Sequence, residues 1–295
     1  MKINNNQSGS LYFLASVLLF SMMELFVKLL SNDYPTGQIV FARGLFGLIP
    51  ILIIIPKTNF FKNFKTKKLK LHLIRTITGC FALVSIFIGI KYLPLADAIS
   101  ITFAAPIFAT FFSIFILNET VGKKRWFAIL IGFIGILVIL KPGTSLFSIY
   151  TIFPIFFCIG FAASATAIKI LSKTEENYLI AFYYTLGLTF VSLFLDPFNW
   201  RIPSNEDFII FIIIGITGSF GNILITEAYR KAEVSLITPI KYLNLIFAII
   251  FGYFLFNEVP SIFTILGSMF IVFSTMIIFS REKKLKKKSI ISKEL

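Results

Sequence analysis

The sequence predicts an all-α integral membrane protein, with ten transmembrane helices arranged as two inverted-topology five-helix repeats. Three observations carry that reading. The 295 residues are 57% hydrophobic and 14% charged, with 37 phenylalanines, whereas a soluble domain carries about 25% charged residues. The stretch Ile77–Glu119 recurs 139 positions later as Ile216–Glu258. Basic residues gather in alternate loops, as they do on the cytoplasmic side of a membrane.

The repeat is settled first, because it organises everything else. Ile77-Thr78-Gly79 matches Ile216-Thr217-Gly218, Lys91 matches Arg230, and Asn118-Glu119 matches Asn257-Glu258, with no gap between. A shift of 141 pairs Val27-Lys28-Leu29-Leu30-Ser31 with Ile168-Lys169-Ile170-Leu171-Ser172. The chain is a tandem duplication.

Residues 1–10 are expected to form a short cytoplasmic tail. No small-residue cleavage site follows the first apolar run, so that run reads as a span and not as a signal peptide. The first repeat, 11–143, holds spans 11–30, 36–56, 71–90, 95–117 and 125–140. They are separated in turn by Ser31-Asn32-Asp33, a lysine-rich segment, Lys91 to Pro94, and a loop ending in Lys123-Lys124-Arg125. The second repeat, 147–280, holds spans 147–170, 178–196, 207–229, 234–256 and 261–280. Each is bounded by polar or Pro/Gly punctuation and is of a length that suits a bilayer, about 20 residues. A basic cytoplasmic tail, 281–295, closes the chain.

Five spans per copy is an odd number, so the second copy crosses the membrane upside down. With both termini inside, the inner segments hold 20 basic residues and the outer loops only Lys91, Lys141 and Arg201. The sequence after Asn118-Glu119 is basic, whereas the sequence after Asn257-Glu258 is Val259-Pro260-Ser261. One element therefore faces opposite sides in the two copies. The expected location is the cell inner membrane, multi-pass, with both ends cytoplasmic.

The net charge of +14 does not point to nucleic acid, because a basic patch needs a soluble face and these charges fall between apolar runs. Cys80 and Cys158 lie inside apolar runs without metal-ligand spacing, which suits buried hydrophobes. His72 is the sole histidine, at a helix start beside lysines, and reads as interfacial. With one histidine and scattered acids, a membrane enzyme lacks a catalytic cluster. No Gly-x-x-x-x-Gly-Lys-Ser/Thr loop is present, so no nucleotide cofactor is expected, nor a metal. The expected partners are the lipid bilayer and a small-molecule metabolite.

Small residues at Gly160 to Ala167 and at Gly215, Thr217, Gly218, Ser219 and Gly221 suit close helix packing in lipid. Pro106 and Pro239 interrupt spans four and nine, which predicts kinks that free backbone carbonyls.

The duplication also filters the charges. Lys28 and Lys169 are matched, each near a helix end, and snorkelling is expected of both. Glu24, Arg43, Glu227 and Lys241 meet Ala165, Tyr184, Ile88 and Thr102 in the other copy and so break the symmetry. A charge near the bilayer centre costs about 2.5–3.5 kcal/mol on insertion scales and should face a cavity or a partner. Glu24 and Arg43 are the deepest by position, whereas Lys241 and Glu227 lie nearer the inner surface, where snorkelling competes. Glu24 also lies one turn before Lys28, which suits an intrahelical ion pair. Arg75, just inside span three, reads as interfacial. Phe103, Tyr242 and Asn244 are candidates for stacking and hydrogen bonding around a planar substrate.

With these residues in hand, the chain resembles the EamA-type transporters of the drug/metabolite transporter superfamily. The resemblance rests on Arg75, Tyr92-Leu93-Pro94-Leu95-Ala96-Asp97-Ala98, Phe103-Ala104-Ala105-Pro106, the Asn118-Glu119 close and Gly132-Phe133-Ile134-Gly135 running to Lys141-Pro142-Gly143. It also takes in Phe41-Ala42-Arg43-Gly44-Leu45-Phe46-Gly47 and covers about 11–280. Thr238-Pro239-Ile240-Lys241-Tyr242-Leu243 looks most similar to alphaproteobacterial S-adenosylmethionine uptake-like members. Many relatives carry an acidic residue and then proline where this chain has Asn244-Leu245. The resemblance implies a secondary transporter working by alternating access, its substrate an amino-acid-like zwitterion such as S-adenosylmethionine. The alternatives within the superfamily are riboflavin or another vitamin, or export of an amino acid or other metabolite.

Overall fold

A computed structural model describes residues 5–55, 65–108, 123–141, 148–171, 174–231 and 238–277, and among them the chain forms helices and turns with no strand. In chain order the helices are α1 (Asn5–Leu30), α2 (Thr36–Ile54), α3 (Leu69–Tyr92), α4 (Leu95–Phe108) and α5 (Lys123–Leu140). They continue as α6 (Ile152–Leu171), α7 (Asn177–Ser192), α8 (Asn205–Lys231), α9 (Leu243–Phe256) and α10 (Ile262–Ile277). Among the described residues five segments, in α1, α2, α3, α6 and α8, are long and apolar enough to cross a membrane by length and composition. Asn118-Glu119, the lysines at 57 and 62 and the tail 281–295 lie outside the described residues.

The helices that break do so for identifiable reasons. A proline lacks the N–H that would bond to the carbonyl four residues back, and its ring crowds that carbonyl. In α2 the helical segments Thr36–Leu45 and Leu48–Ile54 part at Phe46-Gly47, four residues before Pro50. In α4 the break falls at Phe103-Ala104, just before Pro106. There the Cys158 thiol donates to the carbonyls of Ile101 and Thr102 at 3.3 and 3.7 Å, and Thr275 Oγ1 donates to that of Phe103 at 3.4 Å. Side chains of neighbouring helices thus re-satisfy the freed groups, as a dry environment demands. Around Pro239 the chain forms a 3₁₀ turn, Thr238–Tyr242, that leads into α9.

The principal packings are α1 on α8 and α3 on α6, α2 on α7, α3 on α7 and α2 on α8, α4 on α9, α1 on α9 and α4 on α6. Each of these packings recurs when each helix is exchanged for the one five places along, whereas α1 on α3 has no α6 on α8 counterpart of similar extent, so the duplication is written into most of the packing. Small residues permit the closest approaches. A Cβ on Gly160 of α6 would sit 2.8 Å from the Thr78 carbonyl of α3. Gly135 of α5 and Gly267 of α10 face one another so closely that a Cβ on either would lie under 3 Å from the other's carbonyl. The exterior is apolar: Phe133, Leu137, Phe254, Leu266, Met269 and Phe273 are all exposed, a surface that suits lipid and not water.

At one end of the bundle a polar clasp joins the repeats. α9 stops at Asn257, which takes the left-handed conformation (φ 54°) that asparagine tolerates better than most residues. That turn aims Glu258 at the start of α4, where its Oε2 accepts from the Leu95 N–H at 2.7 Å. Oε1 of the same carboxylate pairs with Lys28 Nζ of α1 at 2.9 Å, and Lys28 also donates to the Leu93 carbonyl at 2.6 Å. Beside it, Thr264 of α10 donates to Asp97 at 2.6 Å and Lys141 to Ser261 at 3.2 Å. Lys28 is therefore engaged by Glu258, and the ion pair with Glu24 one turn earlier does not form. The carboxylate at the helix N-terminus is the stronger attraction, because it also caps an otherwise orphaned N–H.

Two further expectations change. Arg75 is buried among α3, α6 and α7 instead of interfacial, and His72 is buried with its ring 4.6 Å from that of Tyr183. Both lie on the side of α3 that packs on α7, a direction that position along the chain does not reveal.

A double-mutant cycle tests the clasp. Lys28→Met and Glu258→Gln should each lower the melting temperature of the purified protein, since removing one partner strands the other. The double variant should recover part of the loss, with a coupling of about 1 kcal/mol or more. Strictly additive losses would show that the pair contributes nothing.

Candidate functional site

The polar centre of the bundle forms where α1, the 3₁₀ turn and the start of α9 meet the broken part of α4. Ser21 and Glu24 are three residues apart and share one face of α1. Asn244, in the first turn of α9, spans both: its Nδ2 donates to Glu24 Oε1 at 3.4 Å and its Oδ1 accepts from Ser21 Oγ at 2.5 Å. Lys241, on the turn before α9, lies within electrostatic range of Glu24. Glu24 and Lys241 each keep some accessible surface within this centre.

Aromatic rings wall this centre. The Lys241 ammonium lies 5.7 Å from the Phe103 ring centre and 5.6 Å from that of Phe161, both within cation–π range. Phe103 meets Tyr242 edge to face at 5.5 Å, and the Tyr242 hydroxyl donates to the Val272 carbonyl at 3.4 Å. Phe103 stands at the break before Pro106 and is buried inside the bundle. The ensemble offers one negative and one positive charge, an amide and flat apolar faces. Chemically, that suits a molecule with a charged end and a planar body. Among the described residues no cluster of His, Cys, Asp or Glu suited to a metal ion is formed.

Of the seven residues singled out from the sequence, Glu24, Phe103, Lys241, Tyr242 and Asn244 come together here. Arg43 lies elsewhere, on α2 against α8, where it is 1% exposed and donates to Ser219 Oγ at 3.0 Å. Glu227 is half-buried near the end of α8. Its neighbour Ala228 packs with Phe13 and Val17 of α1 and with Ile240 and Leu243, the residues that flank Lys241 and Tyr242.

Sequence reasoning missed Ser21, Phe161, Arg75 and Tyr184. Arg75 also lacks a charged counterpart, since Ile214 holds the matched position, and the symmetry filter applied to it would have flagged it. Phe161 is one of 37 phenylalanines and carries no distinguishing signal. A groove of about 370 Å³ lined by Leu69, His72, Thr76, Tyr183, Leu186 and Phe190 opens between α3 and α7, apart from this centre.

Comparison with known proteins fits this architecture. The EamA-like transporter family matches twice, over residues 7–141 and 148–280. The chain is 30% identical to an S-adenosylmethionine uptake transporter of Rickettsia prowazekii over 94% of both chains. It is 28% identical to the pseudopaline exporter CntI of Pseudomonas aeruginosa over 94% of this chain and 98% of that one. It is 25% identical to a riboflavin transporter of Vibrio cholerae over 94% of each. A solved crystal structure aligns with a TM-score of 0.59 over 95% of this chain and 99% of the other, at 16% identity, a likeness of fold. Two successive matches across nearly the whole length, with a relative at 30% identity, make this chain a membrane protein of the EamA-like transporter family.

Proposed function

We propose that the protein is a secondary carrier that moves a small zwitterionic metabolite across the bacterial inner membrane by alternating access. The observation that carries this reading is the Glu24–Lys241–Asn244 centre, with Glu24 and Lys241 half-buried, walled by Phe103, Phe161 and Tyr242. A charge in an apolar bundle is costly unless it faces a partner or a pathway, and this one has both. Glu24 suits an ammonium or sulfonium group, the rings suit a flat base, and Lys241 favours a carboxylate. S-adenosylmethionine combines all three features, and its uptake is the named role of the Rickettsia relative. Riboflavin would use the rings alone.

Ten spans in two inverted five-helix repeats, divided as 11–143 and 147–280, support the mechanism. Inverted repeats around a midplane site are a recurrent plan of secondary transporters, and one repeat rocks against the other. The exchangeable packing and the charge partition favour this arrangement, with both termini cytoplasmic. No ATP-binding loop is read in the sequence, so a substrate gradient, exchange or a coupled ion supplies the energy.

Single-cysteine labelling in cells tests the topology. Gly122→Cys is expected to label only from the cytoplasm and Pro260→Cys only from outside; the opposite pattern at both sites removes the inverted arrangement.

Uptake into reconstituted vesicles tests the substrate class. S-adenosylmethionine should compete in a metabolite panel, and its carboxyl ester should not. Glu24→Gln and Asn244→Leu should each lower kcat/KM by about tenfold or more, the scale of a hydrogen bond to a charged group. Full competition by riboflavin, with none from S-adenosylmethionine or amino acids, would overturn the zwitterion assignment.

A further inference from the structure

Apart from the Glu24–Lys241 centre, two arginines converge on one tyrosine. The Arg75 guanidinium lies over the Tyr184 ring, 3.9 Å from its centre, and Arg75 donates to Ser164 Oγ at 2.6 Å. Arg43 approaches from α2 with its bond to Ser219, and it interacts electrostatically with both Tyr184 and Arg75. Arg43 and Arg75 are 1% and 9% exposed, and the Nε atom of each is buried with no hydrogen-bond partner. Among the described residues no carboxylate forms an ion pair with either.

The surroundings are built to hold these groups. A Cβ on Gly218 would lie 2.1 Å from Arg43 Nε, and one on Gly79 would lie 2.0 Å from an Arg75 terminal nitrogen. Only glycine leaves room for the guanidinium at each position. α2 also breaks at Phe46-Gly47, one turn beyond Arg43, where a Cβ on Gly47 would come 2.8 Å from the Arg43 guanidinium. Discontinuous helices beside a charged group are where transporters place substrate contacts.

Two like charges buried near one another, bonded only to neutral side chains, are costly to maintain for packing alone. The Tyr184 ring offsets part of that cost but supplies no negative charge. Lys241, by contrast, has Glu24 within its own centre. Among the described residues, the buried positive charge without a carboxylate partner therefore lies at the arginine pair.

We propose that Arg43 and Arg75, converging on Tyr184, form a carboxylate-binding subsite for the transported metabolite. This deepens the zwitterionic-carrier reading and rests on it for the identity of the ligand. Guanidinium forks match the two oxygens of a carboxylate, and the five helices α2, α3, α6, α7 and α8 that supply the subsite come from both repeats. A carboxylate held here lies where the two halves meet.

The full-length protein, purified in detergent, is melted in rising sodium acetate. Sodium chloride and sodium phosphate at matched ionic strength, and neutral acetamide, serve as comparisons. Acetate should raise the melting temperature beyond the other three. Arg43→Gln and Arg75→Gln should each shift the acetate midpoint about tenfold upward, the scale of one charge-assisted hydrogen bond. Arg201→Gln, at an exposed arginine outside both centres, should keep the acetate response, and because the titration reads binding without transport, a failed uptake panel remains distinguishable from a failed subsite. If the glutamine variants do not fold, Arg43→Lys and Arg75→Lys are read on the same titration; they keep the charge and lose the fork. Chloride or phosphate acting as strongly as acetate assigns the pair to inorganic anions and overturns the proposal. So does a flat acetate response in the unsubstituted protein, or an undiminished one in the variants.

Discussion

The contact between α1 and α9 sets the geometry on which the polar interior depends. Ser21, Glu24 and Lys28 follow one another along a single face of α1. The first two reach Asn244 at the start of α9, and the third reaches Glu258 just beyond its end. This polar ladder fixes the rotation of α1 in an otherwise apolar bundle, where hydrophobic packing tolerates rotation more readily than paired polar groups do. Because Lys28 is committed to Glu258, the carboxylate of Glu24 is left to Asn244 and Lys241. The clasp at the end and the charged centre inside are two consequences of one interface.

Duplication supplied a symmetric scaffold, and asymmetric side chains were placed within it. The packing of α1 on α8 repeats as α3 on α6, and the self-matched contacts α2–α7 and α4–α9 lie between equivalent helices. The polar groups do not repeat. Arg43 and its counterpart Tyr184 illustrate this: matched positions in the two copies have become a cation and an aromatic ring that lie in one cluster with Arg75. A symmetric frame can rock between two equivalent arrangements, whereas recognition of an asymmetric molecule needs different groups on its two sides.

Proline recurs wherever the helices open. The breaks before Pro50 and Pro106 and the 3₁₀ turn holding Pro239 flank Arg43, Phe103 and Lys241 respectively. Each break exposes backbone that neighbouring side chains must satisfy, as Cys158 and Thr275 do in α4. In a dry interior such breaks persist only where packing compensates them, and they let ring and charge project inward at angles a straight helix does not offer.

The sequence by itself determined the helical membrane class, the duplication, the family resemblance and five members of the charged and aromatic centre. These are written in composition, in a fixed period and in departures from that period, all of which are properties of the chain read along its length. Tertiary structure alone decided the partners: Lys28 with Glu258 and not Glu24, Arg75 inside the bundle and not at its edge, Arg43 with Tyr184 and not with Lys241. A residue's position along a helix follows from the sequence, but the direction its side chain takes depends on how helices distant in the chain are rotated and packed. In apolar helices the hydrophobic pattern is nearly uniform around the axis, so it marks that rotation only weakly, and the pairing of the few polar groups settles it.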